Sequence, residues 1–361
     1  MTAVDPVPAA AELVPVCPSC RGAIAWTGAT GACSACARRF GRLPDGSADM
    51  LGRDFWWQHL DPGTFDGLLE RGEQHGWDRA LREVVPAADF AMATERDRAD
   101  WRVLLPPLEN AVIADVGCFW GAITALLAPH ARQVWAVDGT PHTVRFVNMR
   151  ARQEGLTNVR TVRALAQELP FPDASLDGVV LNGVIEWVGL TPGTTDPYSL
   201  QDSVLAGIAR VLKPGGFLYV ATKNRFGINY LAGRRDQNTA LRFITLLSRG
   251  LADRYCRLAL GHPFLTPSYS CARMERVLRR VGFRTVNLYG ILPDYRRPNF
   301  LVPMNDSAEV RRVMGVLARR PGEYSFNRGW ARQALIWLAH ACGGAAGARL
   351  LAPAFAAVAI R

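Results

Sequence analysis

The sequence predicts an α/β protein, a doubly wound Rossmann-like sheet with a small four-cysteine module in front and helical insertions in its second half. Three observations carry that reading. Between residues 106 and 222, short apolar runs alternate with stretches of helical period. Two C-x-x-C pairs fall within one short N-terminal segment, Cys17 with Cys20 and Cys33 with Cys36. From Phe55 to Leu105 the pattern is helical and unusually rich in aromatic residues.

Residues 1–13 are rich in alanine and proline and are expected to form a disordered tail. In "CPSCRGAIAWTGATGACSAC" each C-x-x-C turn aims two thiolates at one point, as tetrahedral Zn²⁺ with Zn–S distances of about 2.3 Å requires. Cys17, Cys20, Cys33 and Cys36 together fill the shell and leave no place for water, so the expected zinc is structural. Two disulfides or a redox pair are the alternatives. The first conflicts with a cytoplasmic protein, and the second would sit at a helix start after a strand. A zinc ribbon over residues 14–51 follows, and a segment this small needs such a staple to fold.

Residues 52–105 are expected to form a helical cap. Its aromatics, Phe55, Trp56, Trp57, Phe65, Trp77, Phe90 and Trp101, read first as core, with a wall over a ligand pocket as the sharper alternative. The alternating core spans 106–222. "AVIADVG" reads as a strand, "GAITALLAPH" as the helix after it, and "QVWAVDG" as the second strand. The helix in "TPHTVRFVNMRARQEG" has Thr140 as expected N-cap, Pro141 in its first turn and Gly155 beyond its end. "VRTVRALA" and "DGVVLNGVIEWV" are the third and fourth strands. Apolar Val204, Leu205, Ile208, Val211 and Leu212 mark a helix stopped by Pro214-Gly215-Gly216, and "FLYVAT" is the fifth strand. Core residues 269–290 add the helix "SCARMERVLRRVG" and the strand "FRTVNLYG", and 350–361 a last strand, "FAAVAIR". Residues 223–268 are then an insertion placed as a lid, and 291–349 a C-terminal insertion. Excursions of that length usually shape a binding site.

The formal charge is +10, with Lys213 and Lys223 the only lysines. A basic surface suits anionic partners such as nucleic acid, phosphorylated substrates or lipid. The arginines, however, fall in scattered pairs such as Arg279-Arg280, Arg296-Arg297, Arg311-Arg312 and Arg319-Arg320, as on solvated helix faces. No cationic head precedes an apolar core at the N-terminus, and Arg349 and Pro353 interrupt the nearest approach to a membrane span. A soluble cytoplasmic protein is expected. Cys118, Cys256, Cys271 and Cys342 stand singly and read as buried thiols.

The turn "ADVGCFWGAIT" separates two ligand classes. A dinucleotide-binding turn offers G-x-G-x-x-G and sets a pyrophosphate on the helix N-terminus. Here only Gly117 and Gly121 are present, Phe119 stands between them, and Asp115 lies near the end of the strand. An acid there repels a pyrophosphate but suits a ligand with an ammonium and a sulfonium, as S-adenosylmethionine has. Asp138 ends the second strand, where a carboxylate can accept both ribose hydroxyls.

Over residues 106–222 and 269–290 the sequence resembles the class I S-adenosylmethionine-dependent methyltransferases. "ADVGCFWG" is similar to their first motif, "VDGT" to the ribose-binding acid, "LAQELPFPDASLDGVVLNGVIEW" to the adenine loop and fourth strand, and "RVLKPGGFLYVAT" to the turn into the fifth. The ribbon, with "RLPDGSADML" after it, resembles those attached to several methyltransferases. The resemblance implies that Asp115, Gly117 and Gly121, with Cys118 and Phe119 in the same loop, lie along the methionine part. It implies Asp138 on the ribose with Gly139 and Thr140 beside it, Ala166 and Gln167 at adenine, and the backbone of Asn182 and Gly183 by the sulfonium. Two positions depart from the pattern. Phe119 replaces the middle glycine, and Leu165 stands where many members place an acid, so that adenine is read by backbone alone. A negative φ at Phe119 would let its ring turn off the ligand.

Methyl transfer needs alignment and exclusion of water. A hydroxyl acceptor adds a base within reach. Glu186, Tyr198 and His142 are the candidates, with Asn224 and His262 after them, each weighed against a local structural role. Trp187 reads as pocket wall. The family's motif for nucleobase amino groups is absent, and "NGVIEW" stands in its place. That favours an oxygen (or nitrogen) of a small molecule, natural product or sugar. "TKNRFGINYLAG" and "LPDYRRPNFLVP" are similar to methyltransferases of glycan and natural-product assembly, which agrees. A ribosomal or transfer RNA methyltransferase is the alternative, since zinc ribbons accompany some of these and the charge suits RNA. Against it, the ribbon offers only Arg21, Arg38, Arg39 and Arg42. A third reading is a non-catalytic zinc-ribbon scaffold, which Phe119 and Leu165 support.

Overall fold

All five residues of Val112–Val116 are buried, and such a strand fits only a sheet covered on both faces. The computed structural model describes residues 13–319 and 344–361; the expectations for the tail up to residue 12, for Cys342 and for 320–343 of the last insertion lie outside them. The strands are β1 (Ile24–Thr27), β2 (Thr30–Cys33), β3 (Arg39–Arg42), β4 (Ala48–Asp49), β5 (Val112–Val116) and β6 (Gln133–Asp138). After them come β7 (Val159–Arg163), β8 (Leu176–Asn182), β9 (Leu212–Lys223), β10 (Thr285–Asp294), β11 (Arg297–Pro303) and β12 (Ala354–Ile360). They form one sheet in the order β1-β2-β3-β4-β7-β6-β5-β8-β9-β12-β10-β11.

From β7 to β9 every pairing is parallel. β12 slots between β9 and β10, antiparallel to both. The four-cysteine module is not a separate body. Its strand β4 pairs in parallel with β7, Ala48 opposite Val162 and Asp49 opposite Arg163, so the ribbon extends the central sheet. β9 starts at Leu212 and runs through Pro214-Gly215-Gly216, so these residues lie inside the strand rather than before it.

β6 and β8 flank β5 on opposite sides, so the strand order reverses there and a crevice opens at the carboxyl ends. On one face Val179, Leu181 and Val220 pack with helices α6 (Pro197–Val211) and α9 (Cys271–Arg280). On the other, Ile113, Val180 and Tyr219 pack with Trp101 from the 3₁₀ stretch Arg96–Leu104. α1 (Pro62–His75) and α2 (Trp77–Val84) lie on α5 (Pro141–Gln153), with Phe65, Leu68, Phe146 and Met149 between them.

The helix starts follow local chemistry. Asp61, Asp196 and Ser270 each accept a backbone N–H of the first turn. Thr140 occupies the N-cap position of α5 but makes no such bond; its hydroxyl instead joins the backbone N–H and C=O of Trp57. Among the described residues no helix is long and apolar enough to cross a membrane.

Trp101 is fully buried and stacks on Tyr219 with ring centroids 3.7 Å apart. Trp101→Ala is expected to cost about 3–5 kcal/mol, read as a lower urea midpoint.

Candidate active site

A cleft enclosing about 1260 Å³, open mouth included, lies over the carboxyl ends of β5, β6 and β8. The loop after β5 forms its floor. Gly117 has φ 75°, and a Cβ there would collide with Val184, so this turn is closed to other residues. Gly121 (φ 73°) leads into α4 (Ala122–Leu127). Phe119, expected at negative φ, has φ 48°. It is held there while its ring packs 4.7 Å from Trp120 and 6.2 Å from Trp57, centroid to centroid.

Two carboxylates stand on the wall. Asp115 is buried and accepts the Thr124 hydroxyl at 2.6 Å. Asp138 accepts the backbone N–H of Thr140 at 2.9 Å and, at 3.4 Å, that of Phe119. Burial pushes both carboxyls up to about 6, against the donors that favour the charged form. Asn182, also on the wall, has both amide atoms buried and unpartnered. Leu165, Ala166 and Gln167 line another part, with the Gln167 amide tied to Thr191 at 3.0 Å.

Of the expected cofactor residues, Asp115, Gly117, Cys118, Phe119, Asp138, Gly139, Ala166, Gln167, Asn182 and Gly183 are on the wall. Gly121 and Thr140 lie behind it. The expected bases are elsewhere. Glu186 is fully buried, one oxygen accepting the Thr222 hydroxyl at 2.9 Å and the other unpartnered. Tyr198 is held between the guanidinium groups of Arg249 and Arg273. His142 reaches Asp66 at 3.1 Å and packs on Trp56. Asn224 donates to the carbonyls of Arg349 and Leu350, and His262 sits by Pro263 O. None of these five lines the cavity. Each is spent on local structure.

The rest of the wall comes from segments that carry no motif. Phe55, Trp57, His59, Met92 and Arg98 precede the sheet, and Tyr295 and Arg296 sit at the tip of the β10–β11 hairpin. The Trp187 ring lies 5.0 Å from that of Trp57, closing an aromatic roof. The aromatic run "FWWQH" was the available signal; nothing near Arg98 or Tyr295 separated them from other surface residues.

At the far end of the sheet, the sulfurs of Cys17, Cys20, Cys33 and Cys36 lie within 4.8 Å of one another. Cys20 and Cys33 are 3.3 Å apart and Cys17 and Cys36 3.7 Å. All four are free thiols. A tetrahedron of sulfurs around zinc has edges of about 3.8 Å, so the donor set fits.

A family model described as "Methyltransferase domain" matches residues 114–220, a span that includes both carboxylates and Asn182. Residues 114–220 are a class I methyltransferase domain. The relatives include ubiquinone biosynthesis O-methyltransferases. That of Xylella fastidiosa is 29% identical over 153 residues, covering 42% of this chain and 54% of its own. That of Paracidovorax citrulli is 30% identical over 176 residues, covering 46% and 64%. The chain thus spans little more than half to under two thirds of these relatives' length. A solved methyltransferase from Archaeoglobus fulgidus is 16% identical, with 74% of this chain and 95% of that one covered and a TM-score of 0.42. The methyltransferase domain supplies the floor and the carboxylates, while most of the roof and both wall arginines come from outside it.

The left-handed backbone at Phe119 makes a testable statement. Phe119→Gly exchanges ring packing for relief of strain and is expected to stay within about 1 kcal/mol of the wild type. Phe119→Val loses the ring and keeps a β-branched residue at positive φ, so it is expected to unfold about 1–2 kcal/mol more easily than Phe119→Gly in urea.

Proposed function

We propose that the chain transfers the methyl group of S-adenosylmethionine to an oxygen of a small molecule by in-line displacement. The observation that supports it best is one cavity at the strand-order reversal whose wall holds Asp115, Asp138, Ala166, Gln167 and Asn182 together. Bound there, the cofactor supplies an electrophilic methyl group on a sulfonium. The protein's part is to hold, orient and keep dry. Ionised Asp115 meets the ammonium, Asp138 accepts the ribose hydroxyls, and the unpartnered amide of Asn182 gains a polar partner. Trp57 and Trp187 exclude water. His59 is the imidazole on the wall and takes the acceptor's proton.

Oxygen is favoured over nitrogen by the missing nucleobase motif and by relatives named as O-methyltransferases. RNA is disfavoured by the ribbon's own arginines. Arg38 donates to Leu51 O and faces Glu168, Arg42 donates to Gly46 O over the Trp26 ring, and Arg21 faces Asp173. Three of its four basic side chains are thus occupied within the chain. The scaffold reading gains nothing from Phe119, because the cavity persists beside it.

We also assign the four cysteines a structural zinc ion, on their donor chemistry and spacing. The metal-replete protein is expected to carry one equivalent of zinc. Cys20→Ser is expected to release it and to open residues 14–51 to protease at least tenfold faster while 106–222 stay protected.

The function is tested by incubating the protein with methyl-labelled S-adenosylmethionine and separate panels of hydroxylated aromatics, sugars and RNA. Label in a small molecule is expected; label in RNA alone would overturn the reading. Calorimetry adds a pH signature. With carboxyls near 6 in the empty cavity, the ionised form that binds a cation is lost on acidification. The Kd for S-adenosylmethionine is expected to rise about ten- to a hundredfold from pH 8 to pH 5. The same raised values make these two groups contribute more to the stability of the empty protein as pH falls from 7 toward 4, the opposite sign.

A further inference from the structure

Two guanidinium groups on the cavity wall lack counterions. Arg98 comes from the 3₁₀ stretch and Arg296 from the hairpin tip, and both line the cleft. Nε and Nη1 of Arg98 are buried without a hydrogen-bond partner, and burial pulls its pKa down. Arg296 leans on the Tyr295 ring, 5.7 Å from guanidinium carbon to centroid. Among the described residues no carboxylate forms a salt bridge with either. The acids nearby are engaged elsewhere: Glu95 accepts from Arg297 at 2.8 Å, Asp115 from Thr124, and Asp294 from the backbone N–H of Arg296. A desolvated cation left unpaired is costly, and its side-chain donors fit a planar oxyanion through charge-assisted bonds.

We infer that Arg98 and Arg296 form a carboxylate-binding subsite at one end of the cavity. Two ligands could bring the carboxylate. One is the cofactor's own amino-acid end, whose ammonium then faces Asp115, so that one acid and one base match the two charges of an α-amino acid. The other is an acidic group on the methyl acceptor. The first source rests on the function proposed above.

The test uses the full, zinc-loaded chain and calorimetric titration with S-adenosylhomocysteine, with 5′-methylthioadenosine, and with benzoate added to the homocysteine-loaded protein. Methylthioadenosine keeps the nucleoside and thioether but lacks the carboxylate. Arg98→Gln and Arg296→Gln are each expected to weaken S-adenosylhomocysteine about 10- to 100-fold and to leave methylthioadenosine within about twofold, which also reports that they fold. Arg98→Lys keeps the charge without the fork and is expected to recover part of the loss. That pattern assigns the cofactor as source. Unchanged homocysteine binding, with benzoate bound by the loaded wild type and lost in both variants, assigns the acceptor. The subsite is overturned if neither substitution alters binding of either ligand. A wild type that binds neither nucleoside would sink the methyltransferase reading instead. Benzoate titration of the unliganded protein would then decide the subsite, with equal binding by wild type and Arg98→Gln counting against it.

Discussion

The junction of ribbon, cap and cavity depends on one buried guanidinium. Arg163, at the end of β7, donates to Asp49 at 2.7 Å, to the carbonyl of Arg53 at 2.9 Å and to the carbonyl of Gly139 at 2.9 Å. Asp49 belongs to the ribbon, Arg53 to the chain entering the cap, and Gly139 follows the carboxylate Asp138. A buried charge is tolerable only when paired and fully hydrogen-bonded, and removing one partner strands the other. The cation therefore fixes the position of three segments at once. It also gives the ribbon a structural task far from any ligand: the cysteines hold β4 in shape, β4 pairs with β7, and β7 carries Arg163.

Around the cavity the charge is arranged at a cost to the fold. Asp115 and Asp138 are ionised only against burial, Arg98 has no counterion, and Lys223 is held down by burial despite its bond to Asn238 at 2.6 Å. A chain selected for stability alone would replace such groups with apolar ones or pair them. Local rules broken together in one cleft mark the place where stability has been exchanged for binding.

The strands were legible because each is an apolar run bounded by a turn residue or an acid, and burial on both faces leaves little freedom in such runs. The first turn and the two strand-end acids were legible for the same reason, since they act through backbone shape and position along one segment. What could not be read depends on tertiary neighbours. The pairing of Asp49 with Arg163 spans more than a hundred residues of sequence, and the seating of β12 between β9 and β10 is a choice among edges that periodicity does not make. Glu186, Tyr198 and His142 were sensible bases by distance from a strand end, yet direction and packing turned each away from the cleft. Arg98 and Arg296 stood in arginine-rich stretches where only burial distinguishes them.

The departure at Phe119 has a physical account once the cap is in view. A glycine there would avoid the strain of φ 48° but would leave the loop bare beneath the cap. The phenylalanine puts a ring against Trp120 on one side and Trp57 on the other, and Trp57 meets Trp187 beyond the fourth strand. Floor loop, cap and post-strand turn are thereby joined through aromatic contacts. The backbone strain is of order 1 kcal/mol, and aromatic pairs return about 0.5–1.5 kcal/mol each beyond their buried area. The balance favours keeping the ring, so the missing glycine is better explained by how the cap is fastened than by loss of the cavity beneath it.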